Sequence, residues 1–335
     1  MRRKLLPIVS SIAIGMVVFA CGRNAEAPKI TETADTVKQV MQVADPFVLK
    51  VDDVYYLYGT NDLGADKGIP VYRSKDLREW EGSVGLAGDG LALSKGQSFG
   101  TAGFWAPYVL HAKGRFYMYY TANERIAVAT SDSPLGPFTQ QELKPLHADV
   151  KEIDPHVYID DNGKAYLYFV RLINGNRIFG AAMNEDLVSI DENTVVPCIS
   201  QSQDWEIVSG AQWPVTEAPS MIRHNGVYYL FYTANDFRSP AYNVGYATAD
   251  SPLGPWKKND GNPIIPKTDG VPGTGGSEFI KGTSNELLIF YHSHYSGERV
   301  APRKIVYSQC SFTPEGKMKV EENKIFPKVE PYFFH

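Results

Sequence analysis

The chain is poor in cysteine, with 3 in 335 residues, too few for the disulfide framework that holds small secreted folds together. It has no basic run beyond Arg2-Arg3-Lys4, and its acids and bases are interspersed around a net charge of -5. Nucleic acid is therefore not an expected partner. After the first twenty or so residues, no stretch carries the 3.6-residue apolar period of an amphipathic helix, which argues against helical bundles and α/β folds. The one long apolar run, from Leu5 to Ala20, falls short of the ~20 residues of a membrane-spanning helix.

That run follows a basic start and ends in Val18-Phe19-Ala20-Cys21-Gly22, the order of a cleaved leader. It resembles a bacterial lipobox. Residues 1–20 are thus expected to be a lipoprotein signal peptide, with Cys21 the site of lipid attachment. Residues 21–40, polar and without periodicity, read as a flexible tether. Residues 41–335 are long enough for one large domain. The protein is expected to work outside the cytoplasm, in the periplasm or at the cell surface, as a monomer that meets the membrane only through its lipid. Cys198 and Cys310 are expected to be buried thiols, although their pairing is left open.

Aromatic residues are plentiful, with 20 Tyr and 16 Phe, and they recur in order. Five strand-like segments begin near Val54, Arg115, Ala165, Val227 and Leu287. About ten residues ahead of each of the first four lies a piece containing proline: Asp45-Pro46, Ala106-Pro107, Asp154-Pro155 and Ala218-Pro219. Turn signals such as Asp160-Asp161-Asn162-Gly163 and His224-Asn225-Gly226 separate the paired pieces into hairpins. Third strands follow at Ile126–Thr130 and Val244–Thr248, and after them one phrase appears twice, as Asp132-Ser133-Pro134-Leu135-Gly136-Pro137 and Asp250-Ser251-Pro252-Leu253-Gly254-Pro255. A period near 60 residues with about four strands per unit predicts an all-β, five-bladed β-propeller, the fifth unit starting at Thr274-Gly275-Gly276-Ser277, rather than a sandwich.

Inner strands of a propeller line one axis, so matching positions in different units converge. At the proline register the units offer Asp45, Ala106, Asp154 and Ala218, with Glu217 one residue earlier. Taken singly, Asp-Pro is a common turn pair and Glu217 an ordinary surface acid. Their recurrence at one register marks Asp45, Asp154 and Glu217 as a site, in a pocket walled by Phe47, Phe104, Trp105, Tyr108 and Trp213. Burying three acids together raises their pKa values, which folding does not require and glycosidic bond cleavage does. Asp62, Asp76, Asp132, Asp204 and Asp250 are read as turn residues. The residue before each repeated proline is expected to be extended.

These phrases resemble glycoside hydrolase family 43, the five-bladed arabinofuranosidases, β-xylosidases and arabinanases. The matching pieces are Ala44-Asp45-Pro46, Phe104-Trp105-Ala106-Pro107, Ile153-Asp154-Pro155-His156-Val157-Tyr158, Thr216-Glu217-Ala218-Pro219-Ser220 and Tyr291-His292. The resemblance implies an inverting hydrolase with Asp45 as general base, Glu217 as general acid, and Asp154 orienting Glu217 and keeping its pKa high. By the same analogy Phe104, Trp105, Arg303 and His292 would contact a carbohydrate substrate. No cofactor is required. A structural calcium ion in the channel is in doubt, because relatives often carry histidine after Gly-Thr-Gly whereas Gly273-Thr274-Gly275 here runs into Gly276-Ser277. His292 or His294 are the residues that could compensate as metal ligands. The expected activity is exo-acting α-L-arabinofuranosidase on pentose-containing plant polysaccharide, with β-xylosidase or endo-arabinanase as alternatives. A non-catalytic carbohydrate-binding lipoprotein and a retaining fructan hydrolase are the other readings.

Overall fold

The computed structural model describes residues 38–330, so the leader 1–20, Cys21 and the tether up to residue 37 lie outside the described residues. Gln39 and Val40, at the end of that tether, form a short strand paired with Lys328–Val329. Lys328–Val329 in turn lies parallel to Glu79–Gly82, so residues from both ends of the described chain complete one sheet.

The described strands form five sheets. The first runs outward from Ala44–Val51 through Val54–Thr60 and Gly68–Ser74, and the second holds Trp105–Ala112, Arg115–Ala122 and Arg125–Ser131. The third, fourth and fifth begin at Glu152–Ile159, Thr216–His224 and Gly275–Lys281. Each of these inner strands packs beside the next, and Gly275–Lys281 returns to Ala44–Val51. The result is an all-β fold in a β-propeller arrangement, whose described helical residues are confined to the short turns Glu192–Thr194 and Asp204–Glu206.

The aromatic second strands hold this ring together, because both of their faces are buried. Along Arg115–Ala122, Phe116, Met118 and Tyr120 join the cluster against the first sheet, while Tyr117 and Tyr119 join the cluster against the third. Tyr228, Leu230 and Tyr232 likewise face the third sheet, whereas Tyr229 and Phe231 face the fifth. The remaining cluster seals the fifth sheet to the first through Leu288, Phe290, Leu57 and Trp80. Two-sided burial turns the usual alternating pattern into unbroken apolar runs. Each fully buried side chain of this size contributes roughly 1.5–3 kcal/mol. The duplicated phrase joins neighbouring sheets too: the carbonyl of Pro134 accepts from the Tyr58 hydroxyl, and that of Pro252 from the Tyr168 hydroxyl.

Near the start of every inner strand the ladder slips by one residue. The shifts fall between Ala44 and Phe47, Trp105 and Tyr108, Ile153 and His156, Glu217 and Ser220, and Gly275 and Glu278. The first residue inside each bulge is left-handed, with φ of 47° at Asp45, 42° at Ala106, 56° at Asp154, 49° at Ala218 and 60° at Gly276. This corrects the expectation that residues before the prolines are extended. A ladder accommodates an extra residue by turning one of the pair away, and the proline that follows has no N–H to leave unpaired.

The turned residue's amide leaves its own ladder and is taken up by the preceding sheet. Ala106 donates to Thr60 Oγ1 (2.9 Å), Asp154 to Thr121 Oγ1 (3.0 Å), Gly276 to Thr233 Oγ1 (3.1 Å) and Asp45 to His292 Nδ1 (3.1 Å). These acceptors share one register, opposite Ala44, Trp105, Glu217 and Gly275. In the third sheet that register holds Val170, opposite Ile153, which cannot accept. There Asp154 Oδ2 takes the Ala218 amide at 3.1 Å.

Candidate active site

The bulges aim Asp45 and Asp154 toward the axis, and Glu217 stands one residue before its own bulge. All three line one cavity of about 390 Å³, with Trp105, Trp213, Phe237, Tyr242 and Arg303 among its walls. Beneath it a narrower space of about 40 Å³ shares Asp45 and Asp154 and is lined by Phe47, Tyr108, His156 and Glu278. Trp105 and Trp213 thus stand in the pocket as expected, whereas Phe47 and Tyr108 lie along the axis below it.

Asp45 is held as a carboxylate. Burial alone would raise its pKa, but the Arg303 guanidinium, His292 and the Thr60 hydroxyl keep it well below the usual carboxylate range. Thr60 Oγ1 donates to Asp45 Oδ2 at 2.7 Å, and Arg303 Nη1 reaches Asp45 Oδ1 at 3.3 Å. Arg303 is itself buried and fixed by Asp62, which accepts from its Nη2 at 2.8 Å and its backbone N–H at 2.7 Å. Asp62 is therefore not the turn residue expected. Burial would strip charge from His292 and the nearby guanidinium adds to that, so its pKa is lowered.

Glu217 is in the opposite state. Burial pushes its pKa up to about 7, against hydrogen bonds from Tyr242 and Asn176 that favour the ionised form, and the charge of Asp45 adds to the rise. Tyr242 Oη donates to Glu217 Oε1 at 2.8 Å and Asn176 Nδ2 to Glu217 Oε2 at 2.7 Å. Asp154 is raised well above its ordinary value by burial first, then by the charges of Glu217 and Asp45. One cavity therefore holds an acid poised to stay ionised and another poised to stay protonated near neutral pH, the division of labour that acid–base chemistry on one bond requires.

Two expected sugar contacts lie elsewhere. Phe104 is fully buried and stacks on Tyr120, with ring centroids 6.0 Å apart, because it closes the core between the first two sheets. His292 is fully buried behind Asp45 and is absent from the cavity wall, because its ring takes the amide that Asp45's bulge frees. His294 Nε2 contacts the Phe237 carbonyl at 2.7 Å, which fixes the loop bearing Phe237. The two histidines therefore serve neighbouring protein groups instead of converging as metal ligands. Among the described residues no group of three or more His, Cys, Asp or Glu side chains is arranged to hold a metal.

Asn176, Tyr242, Asp62 and Phe237 escaped the sequence reading. None stands in the repeated phrases, and each reaches the cavity from a loop or an outer strand. A signal did exist for Thr60, Thr121 and Thr233, since each stands two residues after an aromatic of its own strand, Tyr58, Tyr119 and Phe231.

The chain is similar to a solved endo-1,4-β-xylanase of Bacteroides thetaiotaomicron, with 37% identity, a TM-score of 0.80, and coverage of 88% of this chain and 99% of that one. It is 27% identical to an arabinoxylan arabinofuranohydrolase of Paenibacillus polymyxa across 88% of this chain, and spans about half of that relative's length, 52%. An extracellular exo-α-(1→5)-L-arabinofuranosidase of Cellvibrio japonicus is 26% identical over 86% of this chain and 81% of its own length. The first of these names concerns xylan and the other two arabinofuranosyl linkages. The model of glycosyl hydrolases family 43 matches residues 39–318: the chain belongs to that family.

Proposed function

We propose that the protein is an inverting glycoside hydrolase acting on pentose-containing plant polysaccharide, in the first instance an exo-acting α-L-arabinofuranosidase. The observation that carries this reading is the opposed state of two carboxyls in one cavity, Asp45 kept ionised and Glu217 raised to about 7. Each of the five sheets is taken as one blade, so that base and acid stand on different blades across the axis. Two of the three relatives named above act on arabinofuranosyl linkages, which supports the choice of sugar.

In this mechanism Asp45 accepts a proton from a water that attacks the anomeric carbon, while Glu217 gives its proton to the departing glycosidic oxygen. An inverting pair stands about 6.5–9.5 Å apart, leaving room for that water. Arg303 keeps Asp45 charged and faces the cavity beside it. Asp154 fixes the backbone next to the acid by accepting from Ala218, and when it is ionised its charge holds the Glu217 proton more firmly. Ground-state binding falls to the aromatic walls, Trp105, Trp213 and Phe237. A lipoprotein leader would carry the enzyme outside the cytoplasm, and Cys21→Ser should then release it from the membrane fraction.

The test is a panel of nitrophenyl α-L-arabinofuranoside, nitrophenyl β-D-xylopyranoside, linear arabinan and arabinoxylan, with the anomer of the first product followed by proton NMR. Release of β-L-arabinose from an α-linked substrate supports the proposal. A first product of retained configuration overturns the mechanism. Turnover of the xyloside alone, or internal cleavage of arabinan, replaces the substrate while leaving the acid pair in place.

A further inference from the structure

The rim of the cavity carries a tryptophan whose single polar atom is turned inward. Trp213 is 49% exposed, yet its Nε1 donates to Asn176 Oδ1 at 2.7 Å. An indole nitrogen can only donate, so the amide atom facing it is the oxygen, and the amide nitrogen is left to face the acid. That nitrogen donates to Glu217 Oε2 at 2.7 Å. Trp213 therefore sets the direction of a hydrogen bond made to the acid two groups away.

The segment bearing Trp213 is stitched in place. Asn176 donates its backbone N–H to the Pro214 carbonyl at 2.8 Å, and Thr216 Oγ1 donates to the Asn176 carbonyl at 3.0 Å. Gly175, at φ 122°, lets this segment approach, since a Cβ there would lie 2.6 Å from Pro214. An exposed aromatic face held rigidly at a pocket mouth marks a surface built for a ligand.

We propose that Trp213 is the platform for the leaving group, a pyranose ring of the chain from which the terminal sugar is cut, and that through Asn176 it positions the carboxyl of Glu217. This rests on the reading of Glu217 as general acid. The departing oxygen must lie against Glu217, so the ring attached to that oxygen extends over the wall next to the acid, and Asn176 joins that wall to Trp213. A xylopyranose ring, with its hydroxyls equatorial, offers flat apolar faces to an indole. Asn176 donates to the carboxylate that remains once the proton has gone, and the indole prevents the amide from turning its oxygen there instead.

The test uses the full-length enzyme and its Trp213→Phe, Asn176→Ala and Glu217→Gln variants. Two substrates are compared: arabinose-substituted xylotriose, and α-L-arabinofuranosyl fluoride, whose leaving group has no ring to meet the platform and little need of a proton. Trp213→Phe should lower kcat/KM on the xylotriose substrate about tenfold or more relative to the fluoride, and move the alkaline limb on the xylotriose substrate up by about one pH unit. Asn176→Ala should reproduce the shift of the limb. Unsubstituted xylotriose should quench tryptophan fluorescence in wild type and Asn176→Ala but not in Trp213→Phe. If Trp213→Phe keeps the wild-type limb and substrate ratio while Glu217→Gln abolishes turnover of the xylotriose substrate, the acid stands and the inference falls. If Glu217→Gln retains that turnover, the acid assignment itself has failed and the inference goes with it.

Discussion

Removing one hydroxyl from the cavity tests how the acid is tuned. Tyr242 is almost fully buried, and its Oη donates to Glu217 Oε1 at 2.8 Å. Its ring stacks on His292 at a centroid distance of 5.7 Å, a contact that phenylalanine keeps, so Tyr242→Phe deletes the donor with little loss of packing. A hydrogen bond to a charged group is worth about 1.5–3 kcal/mol, and each pKa unit is about 1.4 kcal/mol. The Glu217 pKa should then rise from about 7 by roughly one to two units. As the proposed general acid Glu217 acts protonated, so a raised pKa should carry the alkaline limb of kcat/KM upward. The acidic limb should stay, because Asp45 is held by Arg303, His292 and Thr60. The assay is kcat/KM against pH on an unactivated oligosaccharide, read by released pentose. Activity at the optimum should fall about tenfold, since the carboxylate left behind has lost a donor. An alkaline limb that stays at its wild-type position would refute the reasoning.

Three further outcomes follow from the same geometry. Because the Glu217 pKa is raised from 4.5 to about 7, the folded state holds a proton that the unfolded chain releases, and the fold loses stability as pH climbs through that window. Glu217→Gln should therefore be more stable than wild type by about 3 kcal/mol at pH 8, a melting temperature some 5 °C higher, with no such gain at pH 4. Asp62→Ala leaves Arg303 buried with one partner fewer; it should cost roughly 3 kcal/mol in chemical denaturation and shift the acidic limb upward as the guanidinium loosens from Asp45. Gly276→Ala adds a Cβ 2.9 Å from His292 Nδ1 and 3.0 Å from Asp45 Oδ1 at φ 60°. It should cost about 1–2 kcal/mol of stability, while kcat/KM falls by about a hundredfold through displacement of Asp45.

The repeat was legible because it is a property of the chain. Five aromatic segments at a steady period, with turn residues between them, report strands buried on both faces, and the proline pieces report where each ladder slips. The three acids were legible for the same reason, since they stand at or beside one register in different repeats. Arg303 could be singled out only through family resemblance, and its anchor Asp62 was mistaken for a turn residue, because their pairing crosses 241 positions of sequence. Phe104 was misplaced because an aromatic beside the pocket strand looks the same whether it faces the cavity or the core, and the period-2 direction of a side chain is fixed only once the bulge is known.

The sequence by itself thus determined the strand repeat, the ring of sheets it must form, and the identity of the acids. Tertiary structure decided their chemistry. A carboxyl's pKa depends on what surrounds it, and Arg303, Thr60, Tyr242, Asn176 and Asp154 reach Asp45 and Glu217 from four different sheets and the loops between them. It also decided that Asp154 accepts the Ala218 amide, because the third sheet carries Val170 where its neighbours carry a hydroxyl or an imidazole. Burial and long-range charge act through space, so the protonation state of each acid is a property of the folded ring and not of any segment within it.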